Sequence, residues 1–427
     1  MSFAIEPVLL ASHCRKMRAS ELYQGNCSMR KSVQELAIAG APPTFQSPLH
    51  VGRPNIGNRE RLMERINDLL DRRWLSNAGV YVNELEKRLA DMLGVKHCIV
   101  MCNGTVALEI AIRALGLQGE VIVPSMTFIA TAHALQWQQI KPVFCDIDPA
   151  NCTIESSRIE ELITPLTTGI IAVHLWGRPC NTDALQEIAE RHRLSLMYDA
   201  AHALGVTSGG KMIGGFGDAE IFSFHATKFI NSFEGGAVTT NNSELADRIR
   251  LMKNFGFSGY DNVVYIGTNG KMPEVSAAMG LTSLESMDEF IAINYRNYLA
   301  YRDGVKDIPG ISLLPYSDRE RTNYQYIVLI LDEEVARISR DRLINVLQKE
   351  NVIARRYFYP GCHRMEPYRS LQPQAGLVLP ETEKLVRQTI VLPTGTDISL
   401  EAISQITDIL RCAVAHADEW SDMPCTE

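Results

Sequence analysis

Short apolar runs alternating with helix-spaced segments fill residues 95–255 of this chain and leave few ways to fold it. Runs at 98–101, 121–123, 142–146, 170–174, 195–199, 220–224 and 237–240 have strand length, and several are apolar at both parities. A strand without a polar side is covered on both faces. Helical spacing at 105–115, 183–192 and 243–253 separates many of these runs. Strand–helix–strand repetition predicts an α/β fold, a mostly parallel sheet with helices on both faces. Such a sheet presents its functional residues at the carboxyl ends of its strands.

Regular patterning begins at 59–74, with Leu62, Ile66, Leu69 and Leu70 in helical register, and resumes at Val82, Leu85, Leu89 and Leu93. A long helical stretch at 273–305 leads to a segment with its own strand at 324–331 and helices near 340–350 and 398–414. The expected division is an N-terminal extension over 1–50, partly ordered at best, a large domain over 51–295 and a small C-terminal α+β domain over 296–427.

Charge and composition narrow the partners. Fifty acidic residues against 42 basic ones disfavour a nucleic-acid backbone as ligand. The longest uncharged run, 121–140, contains Pro124 and His133 and is a poor membrane span. No basic leader with a cleavage site marks a secretory signal. Ten scattered cysteines without a CxxC pair fit reduced thiols in a cytoplasmic protein with no metal site.

Three segments carry candidate chemistry. Asn103-Gly104-Thr105 joins a strand to a helix and is either an anion cradle at a helix start or a turn capped by Thr105. Asp199, in Tyr198-Asp199-Ala200-Ala201-His202, ends an apolar strand. It could cap, ligate a metal or act as an acid or base, and His202 could be a structural imidazole. Lys228 leaves the aromatic run Ile221-Phe222-Ser223-Phe224 and precedes Asn231 and Glu234-Gly235-Gly236. Desolvation there would lower its pKa, as a Schiff-base lysine requires, while a solvated surface lysine is the plain alternative. The glycine-rich stretches at 209–217 and 267–271 match neither a dinucleotide fingerprint nor a P-loop, which disfavours a nicotinamide dehydrogenase.

The order of these motifs resembles fold-type-I pyridoxal-phosphate aminotransferases, and within them the sugar aminotransferase family labelled DegT/DnrJ/StrS. The resemblance rests on Trp74-Leu75-Ser76-Asn77, Asn103-Gly104-Thr105, Pro124 through Phe128, Asp146-Ile147-Asp148-Pro149, His174-Leu175-Trp176-Gly177, Asp199 through His202, Ser223 through Lys228, Glu234-Gly235-Gly236 and Gly267 through Met272. The stretch from Ser223 to Gly236 looks most like members that aminate C4 of nucleotide-linked 4-keto-6-deoxy sugars, such as dTDP-4-keto-6-deoxyglucose.

The resemblance implies pyridoxal 5'-phosphate as cofactor, L-glutamate as amino donor and a homodimer with shared active sites. Lys228 would bind the cofactor covalently and shuttle protons, and Asp199 would pair with the ring nitrogen. His202, where the family often has Gln, would contact the ring hydroxyl. Phe128 would stack on the ring, and the Gly104 and Thr105 amides with the Ser223 hydroxyl would hold the phosphate. Asn269, rather than Lys271, would reach the neighbouring protomer's phosphate. His174, Trp176 and His363 are candidates for lining a sugar pocket. Competing readings are an aminotransferase for another keto sugar or a keto-inositol, a pyridoxal-phosphate sugar dehydratase, and a non-catalytic cofactor-binding regulator. Lys228 weighs against the dehydratases, which commonly carry His there.

Overall fold

The computed structural model describes residues 32–420. Seven strands, β1 (His97–Met101), β2 (Glu120–Pro124), β3 (Lys141–Cys145), β4 (Thr167–Val173), β5 (Ser195–Asp199), β6 (Ala219–Ser223) and β7 (Gly236–Thr240), form one sheet. Their order is β1-β7-β6-β5-β4-β2-β3. Only β7 runs antiparallel to its neighbours. Each strand-length run of the sequence overlaps one of these strands. Continuous burial explains why: β2 has no exposed residue, and Glu120 within it is paired with Lys141 at 2.9 Å.

Helices α1 (Arg59–Arg72), α2 (Val80–Leu93), α3 (Gly104–Leu115), α4 (Ile129–Gln136), α5 (Thr182–His192), α6 (Ser243–Met252) and α7 (Glu274–Glu285) surround the sheet. Adjacent residues of β1 point into different cores. Ile99 and Met101 join Ala107, Ile110 and Ile249 of α3 and α6, whereas Cys98 and Val100 join Val82, Leu85 and Ala277 of α2 and α7. Period-two alternation therefore reports two covered faces. The helical stretch at 273–305 is two helices, α7 and α8 (Met287–Val305), separated at Ser286. Helix α8 continues unbroken through residues 295 and 296.

The smaller C-terminal part holds an antiparallel sheet of β8 (Ile311–Leu313), β9 (Ile327–Leu331) and β10 (Thr389–Leu392), packed with α9 (Arg340–Lys349), α10 (Pro380–Gln388) and α11 (Leu400–Ala415). Residues 32–50, the later part of the expected N-terminal extension over 1–50, belong to this packing; residues 1–31 lie outside the described part. Val33 and Leu36 are fully buried in the small core. The Glu350 carboxylate accepts hydrogen bonds from the Ala37 and Thr44 amides, and Leu49–His50 pairs in parallel with Val352–Ile353. Irregular apolar spacing hid this anchorage because two 3-10 turns, not a long helix, supply the contacts.

A buried polar cluster crosses the middle of the large sheet. Tyr198 and Glu220 are cross-strand partners, and the His174 ring stacks on Tyr198 with centroids 4.8 Å apart. His174 Nδ1 accepts the Cys180 N–H, which puts the ring proton on Nε2, 3.8 Å from Glu220 Oε2. Burial raises the Glu220 carboxyl to about 8 and lowers the His174 imidazole to about 3. A carboxyl whose folded pKa is raised stabilises the fold most at low pH, and its contribution is lost between the unfolded value, near 4.5, and about 8. Glu220→Gln should thus unfold at a temperature that gains on wild type as pH rises from 5 to 9, by about 2–5 °C in calorimetry. Parallel pH curves for the two proteins would contradict the placement of a protonated Glu220 in the sheet.

Candidate active site

A cavity of about 300 Å³ opens at the carboxyl ends of β1, β5 and β6. Gly104, Thr105, Phe128, Asp199, His202, Ser223 and Lys228 all line it. Residues separated by more than a hundred positions are brought together because each lies on or just beyond the carboxyl end of a strand of one sheet.

The β1–α3 junction forms one end of the cavity. Asn103, not Thr105, caps α3: its side chain accepts the Val106 N–H at 2.8 Å. The Gly104 and Thr105 amides therefore stand at a helix start, where backbone N–H groups and the helix dipole favour an anion. Two glycines keep this end open. A Cβ at Gly104 would lie 3.2 Å from Ser223 Cβ, and one at Gly236 only 2.6 Å from the Gly104 nitrogen. The Glu234-Gly235-Gly236 motif thus has a steric purpose, bringing β7 against the cradle without a side chain between them.

Lys228 occupies the tight turn after β6, where its amide donates to the His225 carbonyl at 2.8 Å. The buried Asn55 side chain donates to the next carbonyl, Phe229, while the Asn55 carbonyl accepts from Asn231. Lys228 Nζ donates to the Tyr326 hydroxyl at 3.3 Å. Burial lowers the Lys228 ammonium to about 8, and the negative charge of Asp199 opposes that shift. A sizeable neutral fraction near neutral pH is what a nucleophilic or proton-abstracting amine needs.

Asp199 is buried at the end of β5, where its carboxylate accepts from Thr131 Oγ1 at 2.8 Å and from the Ala201 N–H at 3.1 Å. Burial raises its pKa, making it a stronger acceptor for a cationic N–H, while these hydrogen bonds and Lys228 act in the other direction. The imidazole of His202 accepts the Trp176 N–H at Nδ1, 3.1 Å away, so its proton resides on Nε2. Desolvation, followed by the charge of Lys228, holds it well below the ordinary histidine range. His202 is a neutral hydrogen-bond donor.

His174, Trp176 and His363, candidates for lining a sugar pocket, do not line this cavity. His174 and Trp176 are wholly buried, and His363 is held between Ser125 at 2.7 Å and Glu383 at 2.8 Å. Trp176 acts through its backbone, which orients His202. Asn269 is exposed and lies outside this cavity, while Lys271 Nζ donates to Asn254 Oδ1 at 2.9 Å. Thr131, Tyr326 and Asn55 are participants that sequence patterning did not single out. Thr127 and Thr131, four apart and hydrogen-bonded at 3.0 Å, offered a signal for the first. Tyr326 and Asn55 come from distant segments with none.

These residues fit the group implied by the motif resemblance, pyridoxal phosphate. The glycine cradle leaves room beside exposed amides for a phosphate, the buried Asp199 faces the same space, and an amine of lowered pKa stands beside both. Pyridoxal phosphate added to cofactor-free protein and reduced with borohydride should mass-label the Lys228 peptide, and Gly236→Ala should weaken cofactor uptake by about tenfold or more. Labelling of another lysine, or wild-type uptake by Gly236→Ala, would contradict this arrangement.

Known proteins of similar sequence and structure identify the family. The profile of the DegT/DnrJ/EryC1/StrS aminotransferase family matches residues 57–411. The chain is 38% identical over 367 residues to a dTDP-4-amino-4,6-dideoxy-D-glucose transaminase of Shigella dysenteriae, spanning 86% of this chain and 99% of that protein. It is 35% identical over 327 residues to a GDP-perosamine synthase of Caulobacter vibrioides, spanning 76% and 87%. The crystal structure of DesI in the presence of its TDP-sugar product superposes with a TM-score of 0.88 at 47% identity, covering 91% of this chain and 99% of DesI.

Proposed function

The chain belongs to the DegT/DnrJ/EryC1/StrS aminotransferase family and has its fold-type-I architecture, and from that premise we propose that it is a pyridoxal-phosphate-dependent sugar aminotransferase. It moves an amino group from L-glutamate to the keto carbon, C4, of a nucleotide-linked keto-deoxy sugar such as dTDP-4-keto-6-deoxyglucose. The observation that carries this reading is the meeting of Lys228, Asp199 and the α3 amides in one cavity. The names of the Shigella and Caulobacter relatives support the substrate class.

In this reading the Gly104 and Thr105 amides and the Ser223 hydroxyl hold the cofactor phosphate, Asp199 holds the pyridine N–H, and His202 Nε2 donates to the ring hydroxyl. Phe128 covers one ring face. Bound pyridoxal phosphate supplies the electron sink that lets a C–H bond beside nitrogen ionise. Asp199, raised by burial, keeps the ring nitrogen protonated rather than surrendering that proton to solvent. Lys228 Nζ takes a proton from the donor's α carbon in one half-reaction and delivers one to the sugar carbon in the other. Its lowered pKa suits both directions, because amine and ammonium are each populated near neutral pH. The Tyr326 hydroxyl keeps Nζ inside the cavity.

The same reading makes the protein a cytoplasmic homodimer. Phe255, Phe257, Tyr260, Tyr265 and Ile266 are exposed on the segment that carries Asn269, and a second copy covering them would bring Asn269 to the partner's phosphate. The described cysteines are free thiols, in keeping with a reducing compartment.

Incubation with glutamate and a panel of nucleotide-linked keto sugars, followed by mass spectrometry, should yield an amino sugar and 2-oxoglutarate in equal amounts. Lys228→Ala should lower turnover by about a thousandfold or more. A deoxygenated product without nitrogen would point to a dehydratase, and bound cofactor without turnover on any keto sugar to a binding protein; either outcome would overturn the proposal.

A further inference from the structure

A second cavity, of about 370 Å³, adjoins the catalytic one and shares Thr127, Phe128, Tyr357 and Phe358 with it as a common wall. None of its lining residues is acidic, and two of them, Arg355 and Arg356, are exposed arginines. Their electrostatic situations differ. Arg356 shares the Asp341 carboxylate with Arg340, at 3.2 and 2.6 Å. Arg355 has no carboxylate partner among the described residues; its guanidinium lies 5.1 Å from the Tyr357 ring centre. The backbone beneath it is fixed, exchanging hydrogen bonds with Val391 of β10 at 3.0 and 2.8 Å. A cation on backbone held by two hydrogen bonds, without a carboxylate partner among the described residues and lining a cavity, is arranged for an anion brought from outside.

Resting on the aminotransferase reading above, we propose that this cavity is the docking subsite for the diphosphate of the nucleotide-linked substrate, with Arg355 as its principal anion contact and Arg356 as the weaker one. The planar guanidinium presents paired N–H donors that match phosphate oxygens. Because Thr127, Phe128, Tyr357 and Phe358 line both cavities, a diphosphate held here stands next to the space in which the attached sugar would meet Lys228. Arg355 is therefore a specificity-determining residue: it selects sugars carrying a phosphorylated tail over free sugars, without touching the reacting carbon.

Titrating thymidine diphosphate into cofactor-loaded protein by calorimetry tests this independently of turnover. Arg355→Ala should raise the dissociation constant by about tenfold or more, Arg355→Lys should recover part of the loss, and wild-type affinity should fall with added salt. Arg191→Ala, which removes a surface arginine paired with Glu160 and Glu187, is the charge control and should bind like wild type. Followed separately, the sugar half-reaction should lose at least ten times more in kcat/KM than the glutamate half-reaction. Wild-type affinity in Arg355→Ala, failure of the wild-type protein to bind the diphosphate, or a loss confined to the glutamate half-reaction would each overturn the proposal. The last result would assign the arginine to the donor's carboxylate and leave the aminotransferase reading standing; absence of amination by wild type would instead sink that reading alone.

Discussion

The burial of one ammonium group governs the chemistry available to this molecule. Lys228 stands where water is scarce, so its charged form is disfavoured, yet Asp199 in the same cavity pulls the other way. The balance leaves an amine that can give and take a proton near neutral pH. Neither residue has this property alone: an exposed lysine would stay protonated, and a buried carboxylate without Thr131 and the Ala201 amide would lack the hydrogen bonds that support its charge.

That balance depends on the sheet. Asp199 ends β5, Ser223 ends β6, and the cradle follows β1, so register between neighbouring strands fixes the spacing of groups far apart in the chain. Glycine at 104 and 236 lets three backbone segments approach more closely than side chains would allow. The smaller C-terminal part contributes as well, since Tyr326 meets Lys228, and the buried Asn323 side chain donates to the carbonyl of His202. The cavity around Lys228 is thus a joint product of two packed parts, not a property of the large sheet.

Much of this was legible in the sequence because the central strands are apolar on both faces and short, a pattern with few alternatives. The motif order brought Lys228, Asp199, His202 and the cradle together, and all of them share one cavity. What escaped was set by tertiary contact. Trp176 orients His202 through a backbone amide, which no side-chain pattern reports. The resemblance offered His174 and His363 as pocket candidates, but each is a buried group with its own structural partners. The irregular spacing of residues 32–50 gave no sign of where they pack, because Val33 and Leu36 bury themselves in a core built by chain three hundred residues away. Lone polar residues are ambiguous in sequence for this reason: burial, not identity, decides what they do.

The most direct measurement of the central claim is an NMR titration of the Lys228 side chain in cofactor-free protein, wild type and Asp199→Asn. The amine should titrate near 8 in wild type and lower in the variant, since the Asp199 charge holds the ammonium up against desolvation. A midpoint near the ordinary lysine value of 10.5, identical in both proteins, would show that the two groups do not share a desolvated site.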